Sequence, residues 1–392
     1  MKTVLCRVPR YTLVALLAAL IWGTPACGRY VPSTRLKQVR ASEVPWERAA
    51  TVAWDAQGKQ VALALVDVKD LATGRLTRMV YVRDGSGERV WAVPGWRAPL
   101  GLSFSPAGTH LAFLAYPAWL RGRDCHLVIA DLRENRQVSV RLPEEAAFAP
   151  RPVWSDDGQL LAVPGLRGGT GEDKGTTRRY VWVGDVKGQQ IAWLTLPSTP
   201  EQDLVCVGWV SGKRTLLGLA AFRGGAESPI PRGNYLWTMD LDAPDRYEYR
   251  PLTGEGAQTR LCFGTWKRVG NFVYLEGGQG QGGNRLPIFV VDVVKATISR
   301  VPNALGFEGY WSASPDGQWV AMMGRNNTVT AYRRDGVVKS FAVGSDRELP
   351  RQLVYWGPGP TEVTVNATGK VQPLTAINLE TGAQRGVLGA AD

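Results

Sequence analysis

From about residue 50 onward, apolar and polar residues alternate in short bursts, each followed by a glycine-bearing turn. A period of two is the mark of strands that bury one face. Three segments align without gaps, VAWDAQGKQVALA, LSFSPAGTHLAFL and PVWSDDGQLLAVP, and their turn glycines Gly58, Gly108 and Gly158 are spaced 50 apart. SASPDGQWVAMM carries Gly317, and the interval before it holds two weaker copies, VGWVSGKRTLLGL at Gly212 and FGTWKRVGNFVYL at Gly270. A seventh copy, VYWGPGPTEVTV, turns at Gly359. Dipeptides such as Asp157-Gly158 and Asp316-Gly317 suit hairpin turns, which need a residue that tolerates positive φ.

An aromatic precedes the turn in nearly every copy: Trp54, Phe104, Trp154, Trp209, Trp266 and Trp356, with Trp311 displaced by two in the sixth. Small residues follow it at Ala62, Ala112, Ala162 and Ala321, so large and small side chains can interdigitate between neighbouring sheets. A second strand–turn–strand unit follows each hairpin, with Asp84, Asp131, Asp185, Asp240, Asp292, Asp335 and Asn378 in step at its turn. These recurrent acids read as turn chemistry. Four strands per unit and seven units near fifty residues predict an all-β chain, a seven-bladed β-propeller of four-stranded antiparallel blades over residues 51–392, closed radially so that sheet edges are hidden. Residues 34–42 are expected to add an outer strand to the last blade.

Composition changes this picture little: 44% hydrophobic and 21% charged content over 392 residues is that of an ordinary globular chain. Two histidines, His110 and His126, leave little material for His-rich metal centres or nucleophile–base pairs. His110 reads as a hairpin histidine. His126, beside Cys125 and Asp124, sits on a strand that sends alternate residues to opposite faces, so the trio makes a poor ligand set. No D-x-[DN]-x-[DN]-G loop, G-x-x-x-x-G-K-[ST] cradle or G-x-S-x-G elbow occurs, and no cofactor is expected. Cys206 and Cys262 occupy similar places in successive repeats; buried thiols are expected, with a bridge between them as the alternative.

The N-terminus reads as an address. Lys2, Arg7 and Arg10 precede the apolar run LVALLAALIW and the small-residue end TPACG. That is the order of a secretory signal, too short in its apolar part to span a bilayer. The end resembles a bacterial lipobox, which implies lipidation at Cys27, removal of residues 1–26, a tether or extra strand over 27–50, and a periplasmic or cell-envelope location; ordinary cleavage after Ala26 and an uncleaved anchor are the alternatives. The formal net charge of +11 falls to +8 on that removal. Basic stripes with interleaved aromatics are missing, so nucleic acid is not expected as a partner.

WSDDG at Trp154 to Gly158 and SPDG at Ser314 to Gly317, each followed by an apolar strand, resemble the WD40-like repeats of TolB-type propellers. The resemblance covers roughly residues 51–389 and implies the same ring, without the α/β domain that precedes the TolB propeller. Resemblance to the propellers of prolyl oligopeptidases does not imply hydrolysis, since those enzymes carry a separate hydrolase domain.

Candidate binding residues lie in the connections between the second and third strands, which all decorate one face. Each bears a cation: Arg75 or Arg78, Arg121 or Arg123, Arg167 with Arg178 and Arg179, Arg223 or Arg232, Arg285, Arg325 and Lys370. Tyr116 and Trp119 stand beside them as aromatic anchors, because Arg and aromatics carry interface energy. The expected function is a non-catalytic, membrane-tethered, monomeric binding scaffold for an envelope protein, an anionic polymer or a lipid headgroup. A bland reading, in which these loops are merely solubilising, stands beside it. The alternatives are a lyase or lactonase acting in the central channel, and a structural subunit of an envelope complex. The channel enzyme is disfavoured because the first strands are mainly Val, Leu, Phe and Trp.

Overall fold

The computed structural model describes residues 30–40, 49–65, 68–69, 76–77, 80–84, 90–93, 96–117, 125–143, 147–148, 151–168, 177–197, 202–224, 230–278, 285–307, 311–323, 328–343, 354–357, 359, 361–365 and 374–387. Seven antiparallel sheets form the predicted propeller, and the described residues contain no helix, hence none long and apolar enough to cross a membrane. Blade one is Ala49–Trp54, Val61–Leu65, Val80–Arg83 and Val90–Val93; blade two is Trp96–Phe104, His110–Pro117, His126–Asp131 and Arg136–Arg141. Blade three starts with Val153–Trp154 and continues through Leu160–Gly168, Thr177–Asp185 and Gln190–Leu196. Blade four is Gln202–Trp209, Thr215–Phe222, Gly233–Asp240 and Glu248–Pro251; blade five is Leu261–Val269, Phe272–Gly277, Arg285–Asp292 and Thr297–Phe307. Blade six is Trp311–Ala313, Trp319–Met323, Thr328–Arg333 and Val338–Ala342; blade seven is Val354–Trp356, Glu362–Val365, Thr375–Asn378 and Gln384–Gly386.

The core is divided into seven apolar clusters, each shared by two neighbouring blades, because alternate residues of every strand face opposite neighbours. Leu111 packs towards blade one while Ala112, next to it, packs towards blade three. The predicted small positions Ala62, Ala112, Ala162 and Ala321 are all fully buried. Six of the seven turn glycines have φ between 54° and 70°, as the hairpins require. The seventh differs: in the last blade the positive φ falls on Gly357, at 121°, two residues before Gly359. In the second hairpins Asp131, Asp185, Asp240, Asp292, Asp335 and Asn378 each accept backbone N–H bonds through a side-chain oxygen.

The N-terminal segment departs from expectation. Tyr30–Arg35 pairs with the outer strand of blade two and Lys37–Val39 with that of blade one, so neither joins the last blade. Among the described residues blade seven consists of the C-terminal strands alone, and side chains join it to blade one. Trp54 lies against Gly357, where any Cβ would meet its ring at 2.4 Å, and donates its indole N–H to Thr364 Oγ1 at 3.2 Å. A glycine is therefore required at 357 twice over, for φ and for this contact.

Candidate functional site

One register position on the inner strands is used repeatedly to join blades. Trp154 donates its indole N–H to the Ser103 carbonyl of blade two at 3.0 Å, and Trp209 donates to the Val153 carbonyl of blade three at 3.1 Å. In blade five that position belongs to Arg268, which pairs with Val273 as Trp154 pairs with Leu161 and Trp209 with Leu216. Its blade-six counterpart is Ala313. Trp266 and Trp311 both stand two residues earlier, so the displacement expected for one copy occurs in two. Turn length hides the displacement of Trp266: Val269 and Phe272 are paired across two residues, whereas Ser155 and Leu160, like Ser314 and Trp319, bracket four.

Arg268 lies over the neighbouring blade much as the tryptophans do. A Cβ at Gly208, whose φ is 147°, would come within 2.1 Å of its Nη1, and its Nε donates to the Gly270 carbonyl at 3.0 Å. Burial lowers the Arg268 pKa, with Asp156 and Cys206 opposing the shift.

Lys267, next along the strand, points the other way, towards blade six. Its Nζ stands 4.9 Å from the centre of the Trp311 ring, and the Trp311 indole donates to Glu276 Oε1 at 2.8 Å. Glu276 is buried on the second strand of blade five. The ring contact and Glu276 both favour the ammonium form. Burial opposes them, reinforced by repulsion from Arg151, and wins: the Lys267 pKa falls to about 7.

Arg151 comes from the start of blade three. Burial lowers its pKa, and Tyr355 of blade seven acts on it in the opposite sense. Yet Arg151 is exposed to solvent and Lys267 is half-exposed. Arg151 thus lies within electrostatic range of Lys267 of blade five and of Tyr355 of blade seven, neither of them on a neighbouring blade, which points to the ring axis.

Those of the cations singled out from the sequence that are described lie elsewhere. Arg179 is committed to Asp203, with Nη2 3.0 Å from Oδ2, and stacks 5.9 Å above the Phe263 ring. Arg178 is exposed and stands opposite Arg167 in the blade-three ladder. Arg223, Arg232 and Arg285 are exposed, and Tyr116 lies in the strand His110–Pro117. Cys27, Arg75, Arg78, Trp119, Arg121, Arg123, Arg325 and Lys370 lie outside the described residues. Arg151, Lys267 and Arg268 escaped the sequence reading because cations were sought in the connections and not on inner strands. The run Trp266-Lys267-Arg268 inside an apolar strand was the available signal.

Cys125, Cys206 and Cys262 are free thiols, so the alternative of a Cys206–Cys262 bridge falls away, and burial pushes the Cys206 pKa up to about 12. His110 bonds Thr109 Oγ1 through Nδ1 at 2.9 Å, and burial lowers its pKa. His126 is buried on its strand. Among the described residues no group of three or more His, Cys, Asp or Glu side chains could hold a metal ion.

No protein-family model matches the sequence, and no curated protein matches it. Solved structures share the fold. An oligogalacturonate lyase in complex with manganese superposes with a TM-score of 0.55 at 14% identity, covering 91% of this chain and 98% of its own. An acylaminoacyl peptidase from Pyrococcus horikoshii gives 0.54 at 15%, covering 88% of this chain and 52% of the peptidase. The β-propeller domain of the Trilobed protease from Pyrococcus furiosus, with an open velcro topology, gives 0.53 at 13%, covering 88% of this chain and 97% of the domain. At these identities the likeness establishes the fold alone.

The expectation of a non-catalytic scaffold is corrected here. It took a propeller without a hydrolase domain to be without chemistry, but a lyase whose chain is matched over 98% of its length breaks that premise. It also took the inner positions to be apolar, and Arg151, Lys267 and Arg268 break that one.

Proposed function

We propose that the protein is a propeller enzyme of the lyase type, acting in its central channel on an acidic oligosaccharide. The observation that carries the reading is Lys267, half-exposed against the Trp311 ring, its pKa lowered to about 7 by burial and by repulsion from Arg151. A proton on carbon next to a carboxylate is weakly acidic, and removing it places further charge on the carboxylate. Catalysis thus asks for a base neutral at physiological pH and a cation to hold the carboxylate. Lys267 Nζ would take the proton with its lone pair, the electron pair of the broken C–H bond would form the C=C bond, and the C–O bond on the adjacent carbon would break, the departing oxygen gaining a proton from water. Arg151 would hold the carboxylate. The similarity to an oligogalacturonate lyase supports this substrate class.

That lyase was solved with manganese. The donor set described in this chain does not fit such an ion, and no step is routed through one. The exposed Arg178, Arg223, Arg232 and Arg285 fit the proposal as a field that steers anions to the ring. The extracytoplasmic address, lipidation at Cys27, and TolB-type affiliation of the WSDDG and SPDG repeats belong to the same proposal.

The test is ultraviolet detection of the conjugated double bond when purified protein meets oligogalacturonate. Product from the parent chain, and its loss by at least about a hundredfold in Lys267→Ala, is expected of a general base. Absence of product from the folded parent chain, or an unaffected Lys267→Ala variant, would overturn the reading.

A further inference from the structure

The flank of the ring at blades one and two carries charge that the elimination chemistry does not use. We propose that it is a membrane-docking surface, on which Arg35 and Lys37 of the N-terminal strap and Arg133 and Arg136 of the blade-two hairpin meet the phosphates of anionic lipid headgroups. The inference deepens the extracytoplasmic address in the proposed function and rests on that address for the source of the anion.

The strap crosses from one blade to the next. Tyr30–Arg35 pairs with the outer strand of blade two and Lys37–Val39 with that of blade one, and between them Leu36, 7% exposed, turns into the apolar cluster that these blades share. Successive side chains of an extended chain take opposite faces, so burying Leu36 turns its two neighbours outward. Both neighbours are cations, Arg35 and Lys37, and both are exposed. In the ladder Arg35 stands directly opposite Arg136, whose side chain is 54% exposed. The Leu36 N–H donates to the Asn135 carbonyl at 2.8 Å, which sets the strap beside the turn that holds the exposed Arg133.

Like charges directly opposite one another in a strand pair repel, so this arrangement costs stability until an anion covers it. Among the described residues Arg35, Lys37 and Arg133 are in no ion pair. Asp131 stands 3.7 Å from Arg136, but it also faces His110 at 3.7 Å and accepts the backbone N–H groups of Arg133 and Glu134. With Glu134 exposed at the same turn, four cations face two carboxylates. Gln38 is polar and exposed and Val39 half-buried, so the surface suits headgroups and not the hydrocarbon beneath them.

Which anion lies there follows from where the chain enters. Cys27 precedes Tyr30 by three residues, and three extended residues span at most about 10 Å. A lipid on Cys27 therefore keeps the bilayer surface within that reach of the blade-two edge, where Tyr30 pairs with Val140.

Vesicle partition tests the proposal. Full-length Cys27→Ser, which carries no lipid of its own, is mixed with vesicles of phosphatidylcholine and with vesicles of phosphatidylcholine and phosphatidylglycerol in equal parts. The ratio of the two partition coefficients is read, because apolar contacts contribute alike to both. It should favour phosphatidylglycerol and fade as salt screens the surface. One Lys or Arg near an anionic surface is worth about fivefold, so Arg35→Ser, Lys37→Ser and Arg136→Ser together should lower the ratio by at least about tenfold. Removing equal charge from exposed positions of blade four, by Lys213→Ser, Arg214→Ser and Arg246→Ser, should lower it by less than about twofold. Arg35→Lys with Arg136→Lys should keep the preference, which separates docking from folding. Equal partition into both vesicles, or equal losses in the two triple variants, would overturn the inference, as would capture of polygalacturonate by these cations without a vesicle preference. Elimination product without a vesicle preference would remove this inference and leave the enzyme. A vesicle preference without elimination, or without lipid on Cys27 of the parent chain, would retain the docking surface and remove the corresponding part of the proposed function.

Discussion

Blades three and four differ from blades five and six at one register position, and the channel chemistry lies where they differ. In the first pair the position holds Trp154 and Trp209, whose indoles are spent on the carbonyl of the preceding blade. In the second pair it holds Arg268 and Ala313, while Trp266 and Trp311 stand two residues back. A step of two keeps an aromatic on the same side of its strand, so Trp266 still joins the cluster between blades four and five and Trp311 the one between five and six. Burial is preserved and the end of the inner strand is vacated. The comparison teaches that a propeller can trade a joint for a charge without losing its core.

The hardest blow to that contrast is a substitution on each side of it. Lys267→Ala should lose at least about a hundredfold in elimination rate, as expected of a missing general base. Its thermal stability should not fall, since a desolvated amine is no asset to the fold. Trp209→Ala should do the opposite, costing about 3–5 kcal/mol for a buried tryptophan while leaving the channel groups in place. Urea unfolding and product detection on both variants check the pair, and a Trp209→Ala chain of parental stability would show that the joints do not bear on stability.

A finer cut separates charge from contact in blade five. The Lys267 pKa is lowered in the fold, so the unfolded chain binds the extra proton between about pH 7 and the ordinary lysine range, and stability should rise with pH across that window. Lys267→Met should flatten this rise. The elimination rate of the parent chain should fall as pH drops through about 7. Glu276→Gln keeps an oxygen for the Trp311 indole but removes the charge that favours the ammonium, so the acid limb should move to lower pH. A merely structural Glu276 would change the rate without moving the limb.

Much of the ring was legible because the fold repeats it. The φ of Gly58, Gly108, Gly158, Gly212, Gly270 and Gly317 and the side-chain acceptors at Asp131 or Asn378 are local consequences of turn residues. What escaped reading was relational. The register of Trp266 depends on a hairpin two residues shorter than its relatives, which gap-free alignment on Gly270 conceals. The placement of residues 30–39 on blades one and two depends on which outer edge is open, a property of the assembled ring. Arg151 and Lys267 were visible as letters, but that blades three and five bring them within electrostatic range follows only from closure.

The smallest expected effect is also the most direct test of the trade. Arg268→Trp places an indole on the register of Trp154 and Trp209, above Gly208, whose missing Cβ already leaves room for a large side chain. The indole N–H would face a backbone carbonyl of blade four, so a joint is gained, worth about 0.5–1.5 kcal/mol for one hydrogen bond. Against this, the Nε bond to the Gly270 carbonyl is lost, a term of similar size, and the net change should lie within about 1 kcal/mol. The elimination rate should change little as well, because Lys267 faces blade six and keeps its contact with Trp311. A large loss of stability would mean that Arg268 does more for the ring than a tryptophan could. A large loss of rate would place Arg268 among the groups that hold substrate, and the cationic site would then extend from blade five towards blade four.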